Sequence, residues 1–193
     1  GIEKAKMLKD VVDIFEGFGK LDNSKIAAPE LNNFTFVGKQ SLLHAILHTG
    51  NLSNKERLVL GYGWGARLED GSVDFSAWDQ FFSRMVKEGV ITKKDMDNIQ
   101  KLWNLFDKYK EQAQITHKKI NGRYFDELPR TPISTPFGEY EGGYVPAAYD
   151  RIRSNEQDRI QDKNLAENNL AALDIATTGA NFTKSRADRY HDQ

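Results

Sequence analysis

One run of this sequence dictates the scaffold. From Met96 through Ile99, Leu102, Trp103, Phe106, Tyr109, Ala113 and His117 to Ile120, apolar and aromatic side chains return every three or four residues. That period places them on one face of an α-helix and nowhere useful on a strand. Thr92, followed three residues later by Asp95, approximates a capping box whose acid also suits the positive helix end. The spacing predicts one helix from Lys93 to about Asn121, roughly seven to eight turns at about 3.6 residues per turn. A rod of that length needs other elements laid against its stripe. The expected fold is therefore mainly α, an irregular helical bundle around one long helix, with Ile99, Trp103 and Phe106 in its core.

Other segments supply those partners. Residues 3 to 16 carry Met7, Leu8, Val11, Val12, Ile14 and Phe15 in a broad helical stripe that Gly17 and Gly19 end. LDNSKIAAPELNNFTF reads as a mixed connection. SLLHAILHTGN predicts a short apolar helix with Gly50 as its C-terminal cap, and Ser53 or Asn54 as cap of the next, KERLVLGY. The Asp70-Gly71 pair permits a small β-hairpin or a loop. Asp74 or Ser76 caps a further helix with Phe75, Trp78, Phe81, Phe82, Met85 and Val86 facing inward, and Gly89 marks its end.

After the long helix, where GRYFDEL can continue it beyond a kink near Gly122, the composition changes. Pro129, Pro132, Pro136 and Pro146 fall close together, interleaved with Phe137, Gly138, Tyr140, Gly142, Gly143, Tyr144 and Tyr149. Proline fixes φ and lacks a donor, which argues against helix or central strand for most of this stretch. The glycines permit turns, and the rings need burial. Residues 129–150 are thus expected to form an ordered loop, a clasp whose rings pack on the long helix, with Tyr144 among the buried ones. A helical domain is expected over 1–150. A polar extension over 151–193, with a weak stripe at Ile152, Ile160, Leu165, Leu170 and Leu173, is expected to be helical in part and loosely held at its end.

Composition narrows the chemistry. Lys and Arg number 27 against 28 Asp and Glu, a net charge of −1, so no global basic field draws in nucleic acid or an anionic membrane. Cysteine is absent, which removes disulfides, thiol nucleophiles and thiolate metal sites. The apolar runs are too short for a membrane span. The start GIEKAKMLKD, without methionine and already helical in character, suggests a piece of a longer chain.

Four candidates for chemistry each have a plainer reading. His44 and His48 stand four apart, but Ala45 occupies the place of the zinc-protease glutamate, so packing is the default. Gly61 to Gly65, GYGWG, lacks the Lys-Ser or Lys-Thr pair of a phosphate loop and more simply lets Tyr62 and Trp64 tuck in. Glu127, Glu139, Glu141 and Asp150 would do acid–base work only if two converged. Lysines and arginines of KYKEQAQITHKKINGRY and RIRSNEQDR, with Lys184, Arg186 and Arg189, are interleaved with acids, which leaves a weak nucleic-acid contact open. No cofactor and no catalytic set is expected.

Taken together, LLHAILHTGNLSNKERLVLGYGWG, the run from SAWDQFF to GRYFDELP and TPISTPFGEYEGGYVPAAYD resemble a segment of the large polyvalent proteins of bacteriophages. TTGANFTKSRADRY is similar to a Gly-Phe-Thr-Lys-x-Arg stretch that follows in that family, with Asn181 where glycine is more usual. The resemblance spans roughly residues 40 to 190, and its most specific parts are TPFGEYEGGYVPA and the Trp103, Phe106, Tyr109 helix. It implies a helical, non-enzymatic structural or interaction module of a very long, virion-packaged protein. Such a module would act in packaging, genome ejection or early host takeover, first in the virion interior and then in the host cytoplasm. Its partners would be other domains of the parent chain or other virion proteins.

Overall fold

The computed structural model describes residues 2–122 and 129–146. The fold is mainly α. Among the described residues five α-helices, α1 (Ile2–Glu16), α2 (Lys39–Leu47), α3 (Leu52–Tyr62), α4 (Ser76–Lys87) and α5 (Lys93–Asn121), are joined by connections of which the first holds a strand pair, and a second strand pair follows α5.

The element buried on every side is α2. Ser41 through Leu47 are all buried, as a short helix apolar around its circumference must be. One face of α5 packs against it through Met96, Ile99, Leu102, Trp103 and Phe106, each at most 1% exposed. The capping box forms in full, with Asp95 N–H donating to Thr92 Oγ1 at 3.2 Å and Thr92 N–H donating to Asp95 Oδ2 at 2.9 Å. Asp95 also meets Lys39 Nζ at 2.7 Å, fixing the start of α2 against the start of α5.

The stripe does not stay inside for its whole length. Beyond Tyr109, whose hydroxyl donates to Asp10 of α1 at 3.0 Å, the helix runs past the elements it packs on, and Ile120 is 75% exposed. Helical periodicity fixes a face, but partners decide how much of it is covered. Val12 is likewise exposed on α1, where Met7 and Val11 carry the packing.

The mixed connection after α1 holds a hairpin that periodicity missed: β1 (Ile26–Ala28) pairs antiparallel with β2 (Phe34–Phe36) around a 3₁₀ turn, Pro29–Leu31. Three-residue strands are too short to show alternation. Asn32 and Asn33 take φ of 55° and 58° there, a conformation asparagine tolerates. Arg84 of α4 fastens this turn, its Nε donating to Glu30 at 2.6 Å and an amino group to Ala27 O at 3.0 Å. The Asp70-Gly71 turn forms only an isolated bridge between Arg67 and Val73.

Helix ends correct three assignments. α3 is capped by Asn51, whose Oδ1 accepts from Asn54 N–H at 3.2 Å, and not by Ser53 or Asn54. α2 ends at His48 in ordinary helical geometry, so Gly50 is no C-terminal cap. The N-cap of α4 is Phe75, without a side-chain bond, and not Asp74 or Ser76; Asp74 Oδ1 accepts from Ser76 N–H at 2.9 Å in the turn that leads into the helix.

Beneath α4 lies an aromatic layer. Trp64 stacks on Tyr62 at 5.0 Å and on Trp78 at 5.7 Å, and Phe36 stacks on Phe81 at 5.4 Å. The GYGWG turn therefore places its rings in the core, with Gly63 at φ 72° closing α3.

Thr92→Ala should lower stability by about 1 kcal/mol in urea denaturation, the usual worth of an N-cap hydroxyl. A loss under about 0.3 kcal/mol would show that the start of α5 is held by the Lys39 and Asp95 pair alone.

Candidate functional site

The clasp lies across α5, and a single polar stripe of that helix holds it. Positions 97, 100, 103, 107 and 110 lie three or four apart, so they share one face. Asp97 Oδ1 accepts from the Tyr140 hydroxyl at 2.7 Å. Gln100 Oε1 accepts from the backbone of Glu141 and Gly142 at 3.0 and 3.3 Å, while its amide donates to Gly142 O at 3.3 Å. Asp107 pairs with Arg130, which also reaches Glu141 at 3.1 Å. Lys110 stands over the Tyr144 ring at 5.3 Å.

Trp103 is the centre of this seat. Its Nε1–H donates to Leu47 O at 3.0 Å, and two glycines from distant parts of the chain, bonded to each other, lie against its side chain. A Cβ on Gly50 would stand 2.5 Å from the ring edge, and one on Gly143 would stand 2.5 Å from Trp103 Cβ. Gly50 is thus needed for close approach and not as a helix cap. Gly50 O accepts from Thr131 N–H at 2.9 Å and from Gly143 N–H at 2.8 Å, closing the clasp at both ends on the α2–α3 connection. Asn51 adds a bond to Pro129 O at 3.3 Å.

Within the clasp, expected as an ordered loop, β3 (Ile133–Thr135) and β4 (Gly138–Tyr140) form a small antiparallel pair. Pro132 and Pro136 flank β3 and do not interrupt it, so their missing donors are not needed. Of the grouped residues, Tyr140, Gly142 and Gly143 are buried, Phe137, Tyr144 and Pro146 half-buried, and Gly138 exposed at φ 127°. Tyr149 lies outside the described residues. The expectation that Tyr144 is buried gives way to a half-buried ring, and the buried tyrosine is Tyr140. The sequence does not mark buried Val145, or Gln100 and Arg130, which bond to Glu141.

Between this hairpin and α4 runs an open groove of about 720 Å³. One wall is a stripe of α4: Trp78, Asp79, Phe82, Ser83, Val86 and Lys87. Pro132, Ile133, Pro136 and Phe137 form the other, with Lys55 and Thr49 at one end. Trp78 is buried and Phe82 half-buried, so the α4 helix turns one aromatic face to the core and its flank to the groove. Lys55 lies over the Phe75 ring at 4.4 Å and 3.7 Å from Asp79. Burial lowers its pKa from the ordinary lysine value, and the Asp79 carboxylate opposes that shift.

The remaining chemical candidates fall elsewhere. His44 and His48 are both buried in and just after α2. Among the described residues no group of three or more His, Asp or Glu is placed to hold a metal ion. Glu139 and Glu141 are exposed and neither lines the groove; Glu127 and Asp150 lie outside the described residues. No described helix is long and apolar enough to cross a membrane. Comparison with protein-family models, with curated proteins and with solved structures finds no match.

Two outcomes test the seat. Gly143→Ala should cost about 2 kcal/mol or more in urea denaturation, because the new methyl meets a tryptophan fixed by its own backbone; a loss under about 0.5 kcal/mol would mean the clasp does not rest on Trp103. Burial, and then the bond to Asp97, push the Tyr140 hydroxyl from 10.0 up to about 12. Its contribution to stability is therefore complete below about pH 10 and lost as pH rises toward about 12. Tyr62 is raised to about 12 as well, by burial, so Tyr140→Phe should flatten the alkaline fall without abolishing it. An unchanged alkaline slope in that variant would refute the buried, hydrogen-bonded phenol.

Proposed function

We propose that this chain is a non-enzymatic docking module of a large phage virion protein, working in packaging, ejection or early takeover, and that the groove between α4 and the β3–β4 hairpin is its working surface. The phage context rests on the sequence resemblance. The observation that carries the docking role is the groove itself, with Phe82 and Val86 on one wall and Ile133 and Phe137 on the other giving it apolar surface open to solvent. Partners suited to such a surface are other domains of the parent chain or other virion proteins.

Two further readings have less behind them. A hydrolase built on the clasp carboxylates would need Glu139 and Glu141 to face a common cavity, yet Glu141 is paired with Arg130 and Glu139 is on the exposed face of β4. A nucleic-acid contact would need a basic surface, while Arg84, Lys93, Lys110 and Arg130 are each paired with acids. The basic tail residues Lys184, Arg186 and Arg189 lie outside the described residues.

Selection of random short peptides displayed on filamentous phage tests the docking reading. The chain should enrich binders that lose about tenfold or more in affinity against Ser83→Arg, a change at an exposed position in the groove wall. Enrichment of no binder sensitive to that substitution would overturn it.

A further inference from the structure

We infer that the groove takes a short extended peptide segment, apolar at alternate positions and ending in a carboxylate that meets Lys87. The inference rests on the docking reading and specifies the ligand that such a surface selects.

Length comes first. The α4 wall runs from Trp78 to Lys87, about 14 Å at roughly 1.5 Å rise per residue. An extended chain covers that distance in about four or five residues at some 3.3 Å each.

Backbone chemistry selects the extended form over a helix. Among the described residues β3 pairs with β4 alone, so its other edge bears no strand, and Ile133 and Ser134 of β3 line the groove. A free strand edge carries N–H and C=O groups that an added extended segment satisfies, whereas a helix satisfies its own and offers none. Pro132 and Pro136 bracket that edge and keep any added pairing short. Side chains at alternate positions of such a segment face the α4 wall, where Phe82 and Val86 supply apolar surface.

Charge selects the end group. At the N-terminal end of α4 the Asp79 carboxylate is matched by Lys55 at 3.7 Å. At the opposite end Lys87 is exposed and has no ion-pair partner among the described residues. The groove therefore has one uncompensated charge, positive, at a known end. A ligand carboxylate placed there gains a charge-assisted contact, and a ligand cation is repelled.

The test uses the full 193-residue chain and fluorescein-labelled, C-terminally amidated peptides with an alternating Val-Phe core that terminates in either aspartate or lysine, followed by fluorescence anisotropy. The aspartate-ended peptide should bind about tenfold more tightly than the lysine-ended one. Lys87→Glu should reverse that order, and Ser83→Arg should remove binding of both. Equal affinities, or an order unaffected by Lys87→Glu, would overturn the inference. So would concentration-dependent dimerisation that Ser83→Arg abolishes, which would make a second copy the occupant. Tighter binding by a synthetic peptide of residues 147–193 would do the same. If display selection yields Ser83-sensitive binders while these peptides show no acid preference, the ligand chemistry falls and the docking role stands; if neither binds, both fall.

Discussion

The contact between Trp103 and the two glycines packed on it governs how the clasp is seated. A tryptophan in the middle of a long helix presents a broad surface, and part of it here is met by backbone and not by side chains. Gly50 comes from the connection between α2 and α3, and Gly143 from a segment 93 residues later in the chain by their numbers. Both can approach because neither has a Cβ. Once they do, Gly50 O lies between Thr131 N–H and Gly143 N–H, and the indole N–H is fixed to Leu47 O. Buried backbone groups that would otherwise lose water without compensation are satisfied by this one arrangement.

From that centre the remaining contacts follow with helical spacing. Gln100 and Asp97 lie about one and two turns toward the N-terminus of α5, and Asp107 and Lys110 about one and two turns toward its C-terminus. Each meets a different part of the clasp. Singly, exposed pairs such as Arg130 with Glu141 contribute little. Their role is register: they fix which clasp residue faces which helix turn, and so fix where the hairpin between Thr131 and Tyr140 is carried.

Much of the helical scaffold was legible because its signals are local. The stripe from Met96 and the Thr92 and Asp95 box specify α5, and aromatic density at Trp78 and Phe81 with Met85 specifies the core face of α4. What escaped is what depends on distant partners. The β1–β2 and β3–β4 pairs are three residues a side, too brief for alternation to register. Gly50 resembles a helix cap in sequence because a glycine after an apolar run has that meaning locally; its actual constraint is a tryptophan 53 positions away by number. Gln100 and Asp107 look like solvated positions on the polar side of α5, and nothing nearby in sequence marks them as contacts. Ile120 shows the converse error, since periodicity alone counts a residue as core when no neighbour reaches it.

The groove is a by-product of how the clasp is anchored. Both ends of the hairpin are fixed, at Thr131 to Gly50 and at Tyr140 to Asp97, while its turn at Pro136 and Phe137 projects toward α4. A loop pinned at both ends has little configurational freedom left to lose, so a ligand that orders it further meets a small entropic cost. The α4 wall is held independently, by Trp78, Phe81 and Met85 in the aromatic layer and by Arg84 on Glu30. Two walls secured by separate contacts keep the floor open, because neither can collapse onto the other without breaking its own anchors. An apolar cleft that would close in a softer structure therefore persists in this one, and the stability of the Trp103 seat and the availability of the groove are one property of the fold.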